Sequence, residues 1–160
     1  MRTRVAESAD AFAQHAGEGE ARWWLGSLAL IKATSQETAG QFCLIEVREN
    51  AGVTPLHVHH NEDETFIVLE GEVEFEVGGR SIPARPGTIL FGPRDVPHRY
   101  TVQIGPARML FLLTPGGFED LVRATSEPAP ERRIPGEGEG LPDFETLSTT
   151  VRRFGCELLE

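Results

Sequence analysis

The sequence predicts an all-β sandwich or barrel. Between residues 21 and 114, glycines such as Gly26, Gly40, Gly52, Gly71 and Gly87 interrupt the chain at short intervals. The runs between them are short and rich in Val, Ile, Leu and Phe, as strands joined by turns require. In Glu72-Val73-Glu74-Phe75-Glu76-Val77 the apolar side chains alternate strictly with glutamates. That period of two gives a strand with one face in a core and one in water. No helical segments alternate with the strands, so a βαβ architecture is excluded.

The 160 residues suit one domain, and 39% hydrophobic residues suffice for a core. An amino-terminal arm covers residues 1–20, with a short helix expected over Ser8–His15 and ended by Gly17-Glu18-Gly19-Glu20. The barrel follows over residues 21–114. Phe42, Leu44, Phe66, Val68, Phe75, Phe91, Phe111 and Leu113 read as its interior. Trp23 and Trp24 are adjacent and must face opposite ways in a strand. Gly78-Gly79 supplies the positive φ angles of a tight hairpin. The tail covers residues 115–160. It opens with a short helix over Phe118–Thr125. Ser126–Pro142 carries four Pro and three Gly and reads as a surface loop. A last helix is expected over Asp143–Phe154, with Asp143 as N-cap and Gly155 just past its end. Phe144, Leu147, Val151 and Phe154 share one face of it.

Acidic residues number 25 against 15 basic ones, for a net charge of −10. That balance argues against a nucleic-acid partner and against an anionic membrane surface. No apolar run approaches the roughly 20 residues that span a bilayer, and the start, MRTRVAESADAF, lacks the apolar region of a secretory signal. A cytoplasmic location is expected. Cys43 and Cys156 are expected to be reduced and unrelated.

Three of five histidines fall within four positions, at His57, His59 and His60. In a strand His57 and His59 project to one face. A turn at His60–Asp63 brings Glu64 back beside them. Two imidazoles and a carboxylate suit a divalent transition metal. By strand period His60 points the other way, and Glu62 and Asp63 face water. A fourth histidine, His98, follows the Gly92-Pro93 turn, and Tyr100 shares its strand face.

The spacing of these residues resembles the two motifs of the cupin superfamily, of the single-domain cupin 2 type. Gly52, His57, His59, Glu64 and Gly71 follow the first motif, with the Gly52–His57 gap one residue short. Gly87, Pro93 and His98 follow the second. Asp95 stands where that motif has Gly and Val102 where it has Asn. Aspartate tolerates the left-handed turn conformation. The resemblance covers about residues 40–114. It implies a small antiparallel jelly-roll-like barrel, with His57, His59, Glu64 and His98 as metal ligands. The ion would be Fe, Mn, Ni, Co, Cu or Zn.

The His57-to-Phe66 segment, the Leu112-Leu113-Thr114-Pro115-Gly116-Gly117-Phe118-Glu119 segment and the terminal helix are also similar to bacterial monocupin quercetinase-like proteins. Those enzymes cleave a flavonol heterocycle with O₂ and release CO. The resemblance implies a metal-dependent dioxygenase acting on a flavonol or another enolisable aromatic. Glu64 would be its proton acceptor, and Phe66, Tyr100 and Phe42 its substrate contacts. The alternatives are a cupin isomerase, cyclase or decarboxylase using the metal as a Lewis acid, and a non-catalytic small-molecule binder. A homodimer is expected by the same analogy, and residues 115–142 are candidates for a lid.

Overall fold

The computed structural model of the chain describes residues 9–159. The elements run β1 Glu20–Trp24, β2 Ser27–Ala33, β3 Cys43–Glu49, β4 His57–His59, β5 Asp63–Val77, β6 Arg80–Ala84, β7 Ile89–Gly92 and β8 His98–Thr114. Then come α1 Phe118–Ala124, β9 Ser126–Pro128, α2 Phe144–Arg152 and β10 Cys156–Leu158. All pairings are antiparallel. The all-β barrel read from the sequence is therefore the fold.

Strand β8 organises the sheet. Its carboxy-terminal half pairs with β3 on one edge, and β5 pairs along nearly its whole length on the other. The start of β8 also meets β4, with His57 opposite His98. From β3 the sheet continues through β2 and β1 to β9. Strand β5 runs unbroken through Gly71, where the pairing shifts register. Gly71 has φ 82°, and a Cβ there would lie 2.7 Å from the carbonyl oxygen of Ile104. A bulge glycine is the residue that fits both conditions. The β5–β6 hairpin turns on Gly78 and Gly79, with φ 56° and 78°.

Inward strand positions form one large core. Ile45, Val47, Phe66, Val68, Phe75, Met109, Phe111 and Leu113 are buried in it. Phe91 is not, and corrects the sequence reading. It is 59% exposed, because β7 turns Leu90 inward and Phe91 therefore outward. Phe42 and Leu44 are only partly buried. Trp24 joins the main core, whereas Trp23 packs with Leu28 and Leu30 in a second cluster on the outer side.

The ends differ more from expectation. No helix forms over residues 9–15, and Met1–Ser8 lie outside the described residues. Helix α2 is shorter than predicted, but the Asp143 side chain accepts a hydrogen bond from the Thr146 amide as its N-cap. Leu147 and Val151 are buried beneath α2, while Phe144 is 56% exposed. Two short strands in the tail carry no sequence signal. Strand β9 pairs with β1, and β10 pairs with β4. The Pro- and Gly-rich stretch is tied down: Trp23 donates its indole N–H to the Arg133 carbonyl, and Arg132 donates to the carbonyls of Gly17 and Gly19. Cys43 and Cys156 are both free and buried. Among the described residues no helix is long and apolar enough to cross a membrane.

Glu46 is 2% exposed on the second face of β3. Burial opposes its ionisation, but hydrogen bonds from Arg48 and Arg108 outweigh that and hold its carboxyl below the ordinary range. A lowered folded-state pKa contributes stability above the ordinary glutamate pKa, and that stability is lost as pH falls. Glu46→Gln is therefore expected to narrow the difference in urea midpoint between about pH 7 and about pH 3.5. Ile45→Ala is expected to cost about 2–5 kcal/mol in urea denaturation. Phe91→Ala, on the exposed face, is expected to stay within about 0.5 kcal/mol.

Candidate metal centre

Four side chains from three strands converge at one end of the barrel. His57 and His59 come from β4, Glu64 from the start of β5 and His98 from the start of β8. One potential ligand atom from each lies within 4.8 Å of the others. Strand parity places the two β4 imidazoles on one face, as expected. Their partners are brought in by pairing, because His57 faces His98 across the β4–β8 ladder. The intervening turn is held by backbone: the His60 amide donates to the Gly155 carbonyl, and the Asp95 amide donates to the His59 carbonyl. Asp95 has φ 65°, the left-handed conformation expected where the motif has Gly.

Glu64 is the hub. Its Oε2 lies 3.1 Å from Nε2 of His59 and 3.1 Å from Nε2 of His98. Burial disfavours the carboxylate, but the two imidazoles override it and push its pKa below the ordinary range. Burial also disfavours charge on His59, and the Glu64 carboxylate overrides that, raising its pKa. His57 goes the other way. Burial, with His98 and His59 beside it, pushes its pKa down to about 3. His57 Nδ1 lies 2.7 Å from the Pro55 carbonyl, which leaves Nε2 as its ligand atom.

The donor set fits a divalent ion. Both ring nitrogens of His59 are buried and have no hydrogen-bond partner, Nε2 despite its nearness to Glu64. A buried polar atom without a partner is costly, and a metal ion would satisfy it. Imidazole with carboxylate suits Mn, Fe, Co, Ni, Cu or Zn.

A cavity of about 120 Å³ opens beside this cluster. Trp24, Phe66, Phe111, Phe118, Leu121 and Leu147 form much of its wall. Phe66 and Tyr100 line it, and Phe42 does not. Phe42 precedes β3, whose first inward residue is Cys43, so strand parity does not carry the Phe42 ring inside. His60 is exposed and pairs with Asp95 at 2.6 Å, away from the cluster. Asp63 binds Arg94 outside it.

Glu62 corrects the sequence reading. It does not face water: it is 6% exposed, with Oε1 3.2 Å from His59 Nδ1. The turn folds it back beneath His59. Nothing in the spacing distinguishes it from its acidic neighbours. Glu49 and Cys156 are two further wall residues that the sequence reading passed over. Glu49 had one available signal, an acid at the inward parity of Cys43, Ile45 and Val47.

Residues 43–113 match the Cupin domain family model. Over those residues the barrel is similar to cupin domains. Among curated proteins the chain is 29% identical over 140 residues to quercetin 2,3-dioxygenase of Bacillus subtilis. That alignment covers 87% of this chain and 42% of the relative, so the chain spans about two fifths of the relative's length. Among solved structures, KdgF from Halomonas superposes with TM-score 0.59 at 18% identity, covering 70% of this chain and 99% of that one. An RmlC-like cupin from Shewanella frigidimarina gives 0.59 at 16%, covering 72% and 99%. Oxalate decarboxylase of Bacillus subtilis gives 0.56 at 18%, covering 72% of this chain and 33% of that one. At such identities these structures speak for the cupin fold alone.

Partners that orient a ligating imidazole commonly change metal affinity by about 10–100-fold. Glu62→Gln is therefore expected to weaken Zn²⁺ and Mn²⁺ binding by a factor in that range, with thermal stability of the metal-free protein little changed. Competition with a coloured chelator measures the first, and a melting curve the second.

Proposed function

We propose that this cupin is a metal-dependent oxidoreductase, a quercetinase-like dioxygenase that cleaves a flavonol or similar enolisable aromatic with O₂. The observation that carries the reading is the three-histidine, one-glutamate cluster beside an apolar cavity. The likeness to the Bacillus dioxygenase supports it. In this reading His57, His59, Glu64 and His98 hold the ion. When bound, the ion supplies a Lewis acid for an enolate oxygen and a place for O₂ to react.

The chain's own residues do the rest. Glu64, the carboxylate of the cluster that lines the cavity, accepts the proton as the enol O–H bond breaks. His57 stays neutral for lack of water and because two imidazoles stand beside it. The rings of Phe66 and Phe118 stand 5.6 Å from His98 and 5.2 Å from His59. They keep water from the reacting carbon, and exclusion of water strengthens each charge–charge contact inside. The same reading takes the protein as cytoplasmic and homodimeric.

The test is elemental analysis followed by oxygen-electrode assays. We expect about one Fe, Mn, Ni, Co or Cu per chain, and a large loss of metal in His57→Ala. Addition of a flavonol or of a smaller enolisable aromatic is expected to consume O₂ with the loaded protein and not with Glu64→Ala. Turnover without O₂ would select the Lewis-acid isomerase, cyclase or decarboxylase instead. Binding without turnover would select a non-catalytic carrier.

A further inference from the structure

The cavity wall holds a second polar group, away from the metal cluster. Tyr100 donates its hydroxyl hydrogen to Oε1 of Glu49. Both residues line the cavity, and both are buried, at 6% and 4% exposure. The bond crosses from β8 to the end of β3. A carboxylate in an apolar wall is costly unless it is well paired. One phenol satisfies only part of it, because a carboxylate offers about four acceptor positions.

The surroundings hold this pair in place and keep it approachable. The segment before β4 lies across β8: the Val102 amide donates to the Gly52 carbonyl, and the Tyr100 amide donates to the Thr54 hydroxyl. Gly52 therefore stands over Glu49. A Cβ on Gly52 would lie 2.8 Å from Glu49 Oε2. The glycine leaves open the side of the carboxylate that Tyr100 does not cover, and Gly52 itself lines the cavity. The other hydroxyls in the wall behave differently. Ser27, Thr54 and Thr125 donate theirs to the backbone carbonyls of Trp24, Tyr100 and Leu121. Outside the metal cluster, Glu49 is the one carboxylate among the described lining residues.

The Phe66 ring bridges the two polar ends. Its centroid is 5.6 Å from that of His98 and 6.4 Å from that of Tyr100. A flat ligand lying on Phe66 would reach the metal cluster with one edge and Glu49 with the other. The volume of about 120 Å³ is below the roughly 300 Å³ where pockets for drug-sized ligands begin. A single ring fits that space better than a three-ring flavonol.

We propose that Glu49, positioned by Tyr100 and left accessible by Gly52, is a specificity determinant that accepts a hydrogen bond from a hydroxyl at the far end of a compact enolisable ring. The proposal rests on the metal-centre reading above. It narrows the substrate class to single-ring hydroxyketones with a second, distal hydroxyl.

A matched pair of ligands tests it by calorimetry on the metal-loaded protein under nitrogen. Kojic acid carries a 3-hydroxy-4-pyranone and a distal hydroxymethyl group. Allomaltol has the same ring with a methyl in that place. We expect kojic acid to bind the unaltered protein about 10-fold tighter, the size of one buried hydrogen bond. Glu49→Leu and Gly52→Ala are each expected to reduce that preference to within about twofold while metal content is retained. Gly52→Ala leaves both polar residues in place, so the test survives if Glu49→Leu fails to fold. Equal binding of the two ligands to the unaltered protein overturns this proposal alone. A preference that persists undiminished in Gly52→Ala and Glu49→Leu also overturns it. Binding of neither ligand to fully metal-loaded protein overturns it too, and removes the compact hydroxyketone from the substrate reading. Failure to load metal at all is a separate result and sinks the parent reading.

Discussion

An ionised carboxylate inside the barrel is the constraint on which the site depends. Glu64 is 3% exposed, and its charge is tolerated because two imidazole nitrogens stand 3.1 Å from one of its oxygens. Removing such a charge pair from water costs several kcal/mol per ion unless the geometry is very good. Good geometry here comes from three strands whose spacing is set by backbone hydrogen bonds. β4 is the weakest of them, at three residues, and it is clamped by β8 on one side and β10 on the other. The carboxy-terminal strand thus belongs to the site, although it contributes no ligand.

The second layer follows from the same economy of polar groups. A ligating imidazole has two nitrogens, and both must be placed. His57 spends Nδ1 on a backbone carbonyl, and His59 turns Nδ1 towards Glu62. The Pro55 contact leaves His57 Nε2 facing the cluster. The apolar wall then has a double role. It keeps the local dielectric low, so that the Glu64 charge dominates its surroundings, and it gives a flat ligand a surface to lie on. The Glu49–Tyr100 pair interrupts that wall at one place.

Much of this was legible in the chain. Alternation in residues 72–77 gave one face of β5, and Gly78-Gly79 gave its hairpin. The His-x-His pair needed only strand parity to place two ligands together. Asp95 could be assigned a left-handed turn from its chemistry, and its φ of 65° agrees. Where parity had no anchor the reading failed. Composition suggests an inward Phe91, yet one residue of offset in the short strand β7 sends it outward. Glu62 reads as facing water, because three acidic residues in a row look alike until the turn's path is known.

By itself, then, the sequence determined the all-β class, the hairpin, the α2 N-cap and the grouping of His57, His59 and Glu64, while His98 joined them through the motif resemblance. Each of those depends on contacts between near neighbours or on a side chain's own chemistry. Only the tertiary structure decided that β10 backs β4, that Glu62 reaches His59, and that Glu49 meets Tyr100 across the cavity. Cys156 and His59 are 97 positions apart, and Glu49 and Tyr100 are 51. Contacts at such separations are set by how strands pair around a closed barrel. That pairing is a property of the whole core, and no local pattern of residues encodes it.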